Sequence, residues 1–295
     1  MKISLPVLAL LLLAFGRASA QVDVEVVLDQ DQFLPSETLP VAVRITNRSG
    51  QTLHLGADPD WLTFSVESAD GFIVIKNSEV PVLGAFDLGS TEVATKHVDL
   101  QPYFELKRQG QYRVTATLHI KAWSAQTASP PKGFDVISGA ELWSQDFGLP
   151  VPPGATNRTP EVRKYTLEEA NYLREQLRMY VMVSDQSESR VIKVSAIGPM
   201  VSFSRPEEQL DQFSNLHVIY QSGARTFTYS VVNPEGEITR QDNYDYLDKR
   251  PRLGLNDDGD IVVIGGVRRV KPDDQPVVKL PDVKSPDELP PPAKP

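Results

Sequence analysis

The sequence predicts a mainly β protein: an antiparallel β-sandwich, then a small α+β domain, then a proline-rich tail. Three observations predict it. From Val22 to Leu149 apolar and polar residues alternate, the period of half-buried strands. Between Thr166 and Val183 the apolar residues recur every three or four positions, as on one face of a helix. From Lys271 to Pro295 eight residues are proline, a composition that cannot bury a core and is expected to be disordered or extended.

The first twenty residues read as an export signal rather than as part of the fold. Lys2 precedes an apolar run, Leu5 to Phe15, that is short for a membrane span, and Ala18-Ser19-Ala20 forms an A-x-A cleavage site. The mature chain is expected in the periplasm or outside the cell, with no transmembrane segment of its own. Cleavage would remove Lys2 and Arg17 and take the formal charge from −9 to −11. An acidic surface argues against nucleic acid and anionic membranes as partners. The chain has no Cys, so disulfides, thiol nucleophiles and Cys-ligated metals are excluded, and an envelope protein of bacterial type is expected.

Within residues 21–149, Leu39, Val41, Val43 and Ile45 share one strand face, as do Leu62, Phe64 and Val66. Tyr112, Val114, Ala116, Leu118 and Ile120 form a third such set. Asn47-Arg48-Ser49-Gly50 and Ala69-Asp70-Gly71 supply turns, and about seven strands result, one of them near Leu142–Leu149. The stretch "LKRQGQYRVTATLHI" resembles the G-x-Y-x-V signature of the penultimate strand in immunoglobulin-like domains. "FLPSETLPVAVRITNRSG" is similar to the second strand of bacterial domains of that kind. The resemblance implies a secreted bacterial immunoglobulin-like sandwich over the N-terminal half, with Tyr112 as a tyrosine-corner residue bonded to nearby backbone. It is nearly silent on function.

Residues 150–164 read as a Pro-rich linker. Residues 165–270 are expected to place one amphipathic helix on an antiparallel meander sheet. Thr166 and Glu169 would form a capping box, and Leu167, Ala170, Leu173, Leu177 and Val181 an apolar stripe. The remainder is strands. "TFTYSVVNPEGEITRQ" is a hairpin whose turn is Asn233-Pro234-Glu235-Gly236, and Asn256-Asp257-Asp258-Gly259 repeats the turn. Two successive hairpins resemble a propeller blade. Only about 110 residues are present, however, and a closed propeller needs at least four blades of roughly forty residues, so an ordinary small sheet is expected.

Catalytic motifs are absent from the sequence: no H-E-x-x-H, no G-x-S-x-G, no P-loop. No cofactor and no metal site is expected, and the chain is not expected to be an enzyme. His119 and His217 read as surface or satisfied residues. The connection between the two hairpins is the richest segment. Tyr244, Asp245, Tyr246, Asp248, Arg250 and Arg252 would suit a protein surface or a glycan. Trp61 falls opposite the Leu62/Phe64/Val66 face, as an outward platform or under a neighbouring loop. The leading expectation is a non-catalytic envelope protein that binds another protein. The alternatives are carbohydrate binding through exposed aromatics and proteinase inhibition of the immunoglobulin-like type.

Overall fold

The computed structural model describes residues 21–149 and 161–270. The expected export signal, most of the expected linker and the Pro-rich tail lie outside the described residues. Among the described residues the chain is strands and turns, with two short 3-10 turns and no α-helix.

The first ten strands are β1 (Val22–Leu28), β2 (Gln32–Phe33), β3 (Pro40–Asn47), β4 (Leu53–Leu55), β5 (Leu62–Ser68), β6 (Phe86–Leu88), β7 (Val93–Asp99), β8 (Gly110–Ile120), β9 (Ala125–Ala128) and β10 (Lys132–Val136). They build a sandwich. One sheet runs β1-β3-β7, the other β2-β10-β8-β5 with β9 added to β8, and β4 pairs with β6 at the side. Alternation sets the core: Val24 lies opposite Ile45 and Val26 opposite Val43, while Phe64 meets Ala116 and Val66 meets Val114. All of these are buried in one continuous cluster with Tyr112 and Phe134. Tyr112 Oη donates to the Arg108 carbonyl at 2.5 Å, and the ring stacks on Phe134.

The remaining strands are β11 (Ala140–Gly148), β12 (Val162–Tyr172), β13 (Gln176–Asp185), β14 (Val191–Pro199), β15 (Glu207–Leu210), β16 (Leu216–Gln221), β17 (Thr226–Val232), β18 (Ile238–Asp245), β19 (Arg252–Leu255), β20 (Ile261–Ile264) and β21 (Val267–Arg268). They form a second sandwich. Sheet β11-β12-β13-β14 faces sheet β15-β16-β17-β18-β21, and Tyr165, Leu167, Val181 and Val183 of the first pack on Leu216, Val218, Tyr220 and Val232 of the second.

The expected helix is absent. Thr166 to Val183 is most of an antiparallel hairpin, with Leu167 opposite Val181 and Tyr165 opposite Val183. Its three-residue connection, Leu173 to Glu175, places both Leu173 (φ 51°) and Arg174 (φ 59°) in the left-handed region, and the Glu175 amide donates to the Tyr172 carbonyl at 3.1 Å. No Asn-Gly marks that turn, so the sequence hides it. Thr166 caps nothing; it lies inside β12.

The strand expected near Leu142–Leu149 exists as β11, but it does not join the first sandwich. It pairs with β12, and Phe147 stacks on Tyr165 with ring centroids 4.2 Å apart. The Pro-rich segment after it therefore connects two neighbouring strands of one sheet, and Val162 to Lys164, expected as linker, belong to β12.

The two sandwiches meet where the outer face of β12–β14 receives the loop between β1 and β3. Leu34 is buried against Ala170, Tyr180 and Val194. Glu37 bridges to Val194 through its backbone, Tyr172 Oη accepts from Asp31 N, and the Leu173 amide donates to Gln32 Oε1 at 2.5 Å. Glu37 is 5 % exposed. Its carboxylate accepts from Leu34 N at 2.6 Å and Gln30 Nε2 at 2.9 Å, and no cation pairs with it among the described residues. Arg178 lies near but spends its guanidinium on Gln30 Oε1 and the ring of Tyr172.

Burial pushes the Glu37 carboxyl up from 4.5 to about 7, against the lowering effect of its hydrogen bonds. The folded state thus holds this proton more tightly than the unfolded chain does. The stability it contributes is complete below pH 4.5 and is lost as pH rises to about 7, by on the order of 3 kcal/mol. Denaturant melts of wild type and Glu37→Gln across this range are expected to diverge, with the wild type falling relative to the variant as pH rises. Parallel curves would contradict the placement of an unpaired buried carboxyl here.

Candidate functional site

The sheet of β15–β18 has a second apolar face, turned away from its sandwich core. Ile219, Phe227, Tyr229, Val231 and Tyr244 lie on it, covered by Leu253 and Val263 of the β19–β20 hairpin. That hairpin crosses the face and is tied by the Leu253 amide donating to Glu207 Oε2 at 3.0 Å. Its turn is held as the sequence implies: Asn256 Oδ1 accepts from Asp258 N and Asp260 N, and Gly259 takes φ +84°. Asn233 and Gly236 (φ +80°) build the earlier turn in the same way.

Beneath the hairpin run polar chains. Asp242 is fully buried and accepts from Arg240 Nε at 2.6 Å and Arg268 Nη2 at 3.1 Å. Asp211, His217 and Tyr229 form a second chain, with Tyr229 Oη 2.7 Å from His217 Nδ1 and Asp211 Oδ2 3.3 Å from Nε2. Burial lowers the His217 pKa, the pull of Asp211 opposing it, and the neutral ring is favoured. Both ring nitrogens are occupied, so the ring has neither a lone pair nor a proton free for a bound molecule. It works as a tie between the β15–β16 turn and β17. The expectation of a surface or satisfied residue is met in its second form: His217 is 8 % exposed, and both ring nitrogens have partners, Asp211 just after β15 and Tyr229 on β17.

A cleft of about 510 Å³ opens between that turn and the hairpin tip. Phe213 and Leu255, 61 % and 58 % exposed, line it together with Leu210 and Ile261. Asp211, Asp258 and Asp260 also line it, and no Lys or Arg does. Among the described residues no three His, Asp or Glu converge as metal ligands.

The residues singled out from sequence are divided by the structure. Trp61 is remote from the others and no outward platform. It is 2 % exposed, its Nε1 donates to the Val82 carbonyl at 2.7 Å, and it meets Phe86 edge-on. It precedes β5, so the strand's alternation does not set its direction. Tyr244 is buried against Tyr229 under the hairpin. Asp245 forms a bidentate pair with Arg269. Tyr246, Asp248, Arg250 and Arg252 are exposed at the hairpin's base, where Arg250 lies over the Phe227 ring and Arg225 binds the Tyr246 and Leu247 carbonyls.

No protein-family model matches the chain, and no curated protein matches it. Among solved structures it is similar to the crystal structure of Spo0M, a sporulation control protein from Bacillus subtilis. The identity is 11 %, over 85 % of this chain and 91 % of that one, with a TM-score of 0.31. A likeness that loose carries no argument about this protein.

His217→Ala leaves Tyr229 Oη and Asp211 Oδ2 without their partner and is expected to cost about 2–4 kcal/mol in denaturant melts. Because the folded His217 resists protonation, that advantage is full above pH 6.5 and shrinks as pH falls below it. A variant as stable as wild type at pH 7.5 would contradict the tie.

Proposed function

We propose that this is a non-catalytic, exported interaction protein that contacts another protein through the outer hairpin face of its second sandwich. One observation carries the reading: Phe213 and Leu255 stay exposed to water while lining one concave site. Scattered exposed apolar residues are ordinary, but two that line one cleft mark a contact surface. Ile73 and Leu83 are also exposed, between β5 and β6 of the first sandwich. The base of the hairpin adds Tyr246 and Leu247 beside Lys249, Arg250 and Arg252, an amphipathic rim of the kind interfaces use.

Export rests on the N-terminal residues, and an immunoglobulin-like assignment for the first sandwich is supported by the Tyr112 bond to Arg108. The protein-partner reading is preferred to glycan binding because only Tyr246, of the three rings proposed as a sugar platform, is exposed.

The test is photo-crosslinking in the native host. A crosslinking residue at position 213 or 255 is expected to yield a discrete protein adduct, and one at position 93 on the first sandwich none. Adducts from neither cleft position, or equally from all three, would contradict the reading.

A further inference from the structure

We propose that the cleft at the hairpin tip receives a partner segment of one chemistry, an apolar side chain flanked by Lys or Arg. This rests on the interaction reading above and adds the partner's character. The apolar part follows from shape. Phe213, Leu255, Ile261 and Leu210 line a cleft of about 510 Å³, large enough for one or two aliphatic or aromatic side chains.

The cationic part follows from what is left unneutralised. Asp211 is consumed by its own turn: Phe213 N, Asn215 N, Asn215 Nδ2 and His217 all engage it. Asp258 is different. Its carboxylate has no hydrogen bond and no ion pair among the described residues, and Asp260 has only the Asn256 amide at 3.4 Å. Both carboxylates border an apolar wall, where fields are less screened than in open water. An acidic segment would be repelled there and a neutral one would gain nothing from them.

The chain keeps its own unpaired cations at the other end of the hairpin. Lys249, Arg250 and Arg252 form no ion pair among the described residues and lie near its base, on the order of 13 Å away at about 3.3 Å per strand residue. They do not line the cleft, so its own charge stays acidic.

The test uses the mature chain and three fluorescein-labelled peptides with the same Leu-Val-Phe centre, flanked by Lys and Arg, by Ser and Gln, or by Glu. Fluorescence anisotropy is measured at low and moderate salt, and melting of each variant checks its fold. The basic peptide is expected to bind most tightly and to weaken with salt. Asp258→Asn/Asp260→Asn and Phe213→Ser/Leu255→Ser are each expected to weaken it by about tenfold or more, while Asp23→Asn/Glu25→Gln on the first sandwich leaves it unchanged. If the neutral or acidic peptide binds as tightly and the Phe213/Leu255 variant still abolishes binding, the charge assignment is overturned and the contact surface stands. If no peptide binds, or every variant binds like wild type, both fall.

Discussion

The hairpin of β12 and β13 is covered on both faces, and the rest of the molecule is arranged around that constraint. One face, with Tyr165, Leu167, Val181 and Val183, fills the second sandwich. The other, with Ala170 and Tyr180, takes Leu34 from the first. A strand pair buried twice fixes register firmly, because a one-residue slip would drive Glu168 and Arg178 into the sandwich core. Each sandwich core is built from its own residues, and the Leu34 cluster joins the two on the outer face of this hairpin. The loop carrying Leu34 and Glu37 is at once an edge of the first sandwich and part of the covering of the second.

The opposite sheet is treated differently. Its inner face is closed by the same core, but its outer face is covered only by a two-stranded hairpin. Such a hairpin hides Phe227, Tyr229 and Tyr244 and cannot reach to the sheet's ends. What it leaves bare are the places where turns and strand ends collect: Phe213 and Leu255 at the tip, Tyr246 and Leu247 at the base. Rigid packing below and incomplete covering above is a familiar way for a fold to present contact groups. The buried Asp242 and the His217 chain make the platform under the hairpin specific, since each holds neighbouring strands through charge or hydrogen bonds.

Much of the first sandwich was legible in the sequence because its strands are buried on one face only. Val41, Val43 and Ile45 alternate with solvent-facing or half-buried neighbours, and the period stands out. The β12–β13 hairpin was illegible for the converse reason. Met179, Tyr180 and Val181 are consecutive and all buried, so alternation vanishes and a chance spacing of three and four imitates a helix. The two Asn-to-Gly turns were readable because Asn and Gly do the bonding and the backbone reversal themselves. The Leu173-Arg174 turn was not, because its left-handed backbone falls on residues that rarely choose it. Of the candidate site, the hairpin connection was found from its residue types, but the cleft was not. Phe213 and Leu255 are forty-two positions apart and line one cleft only because the hairpin folds back over the sheet.

The most direct test of this account is amide hydrogen exchange on wild type and Leu34→Ala. In the wild type the amides of β12 and β13 are expected to exchange slowest among the second sandwich's strands, and those of β19–β20 much faster. Leu34→Ala is expected to speed exchange around Ala170, Tyr180 and Val194 as well as in the loop that bears it. Fast exchange throughout Val162–Asp185 in the wild type, or a Leu34→Ala effect confined to the first sandwich, would contradict the doubly covered hairpin as the centre of the fold.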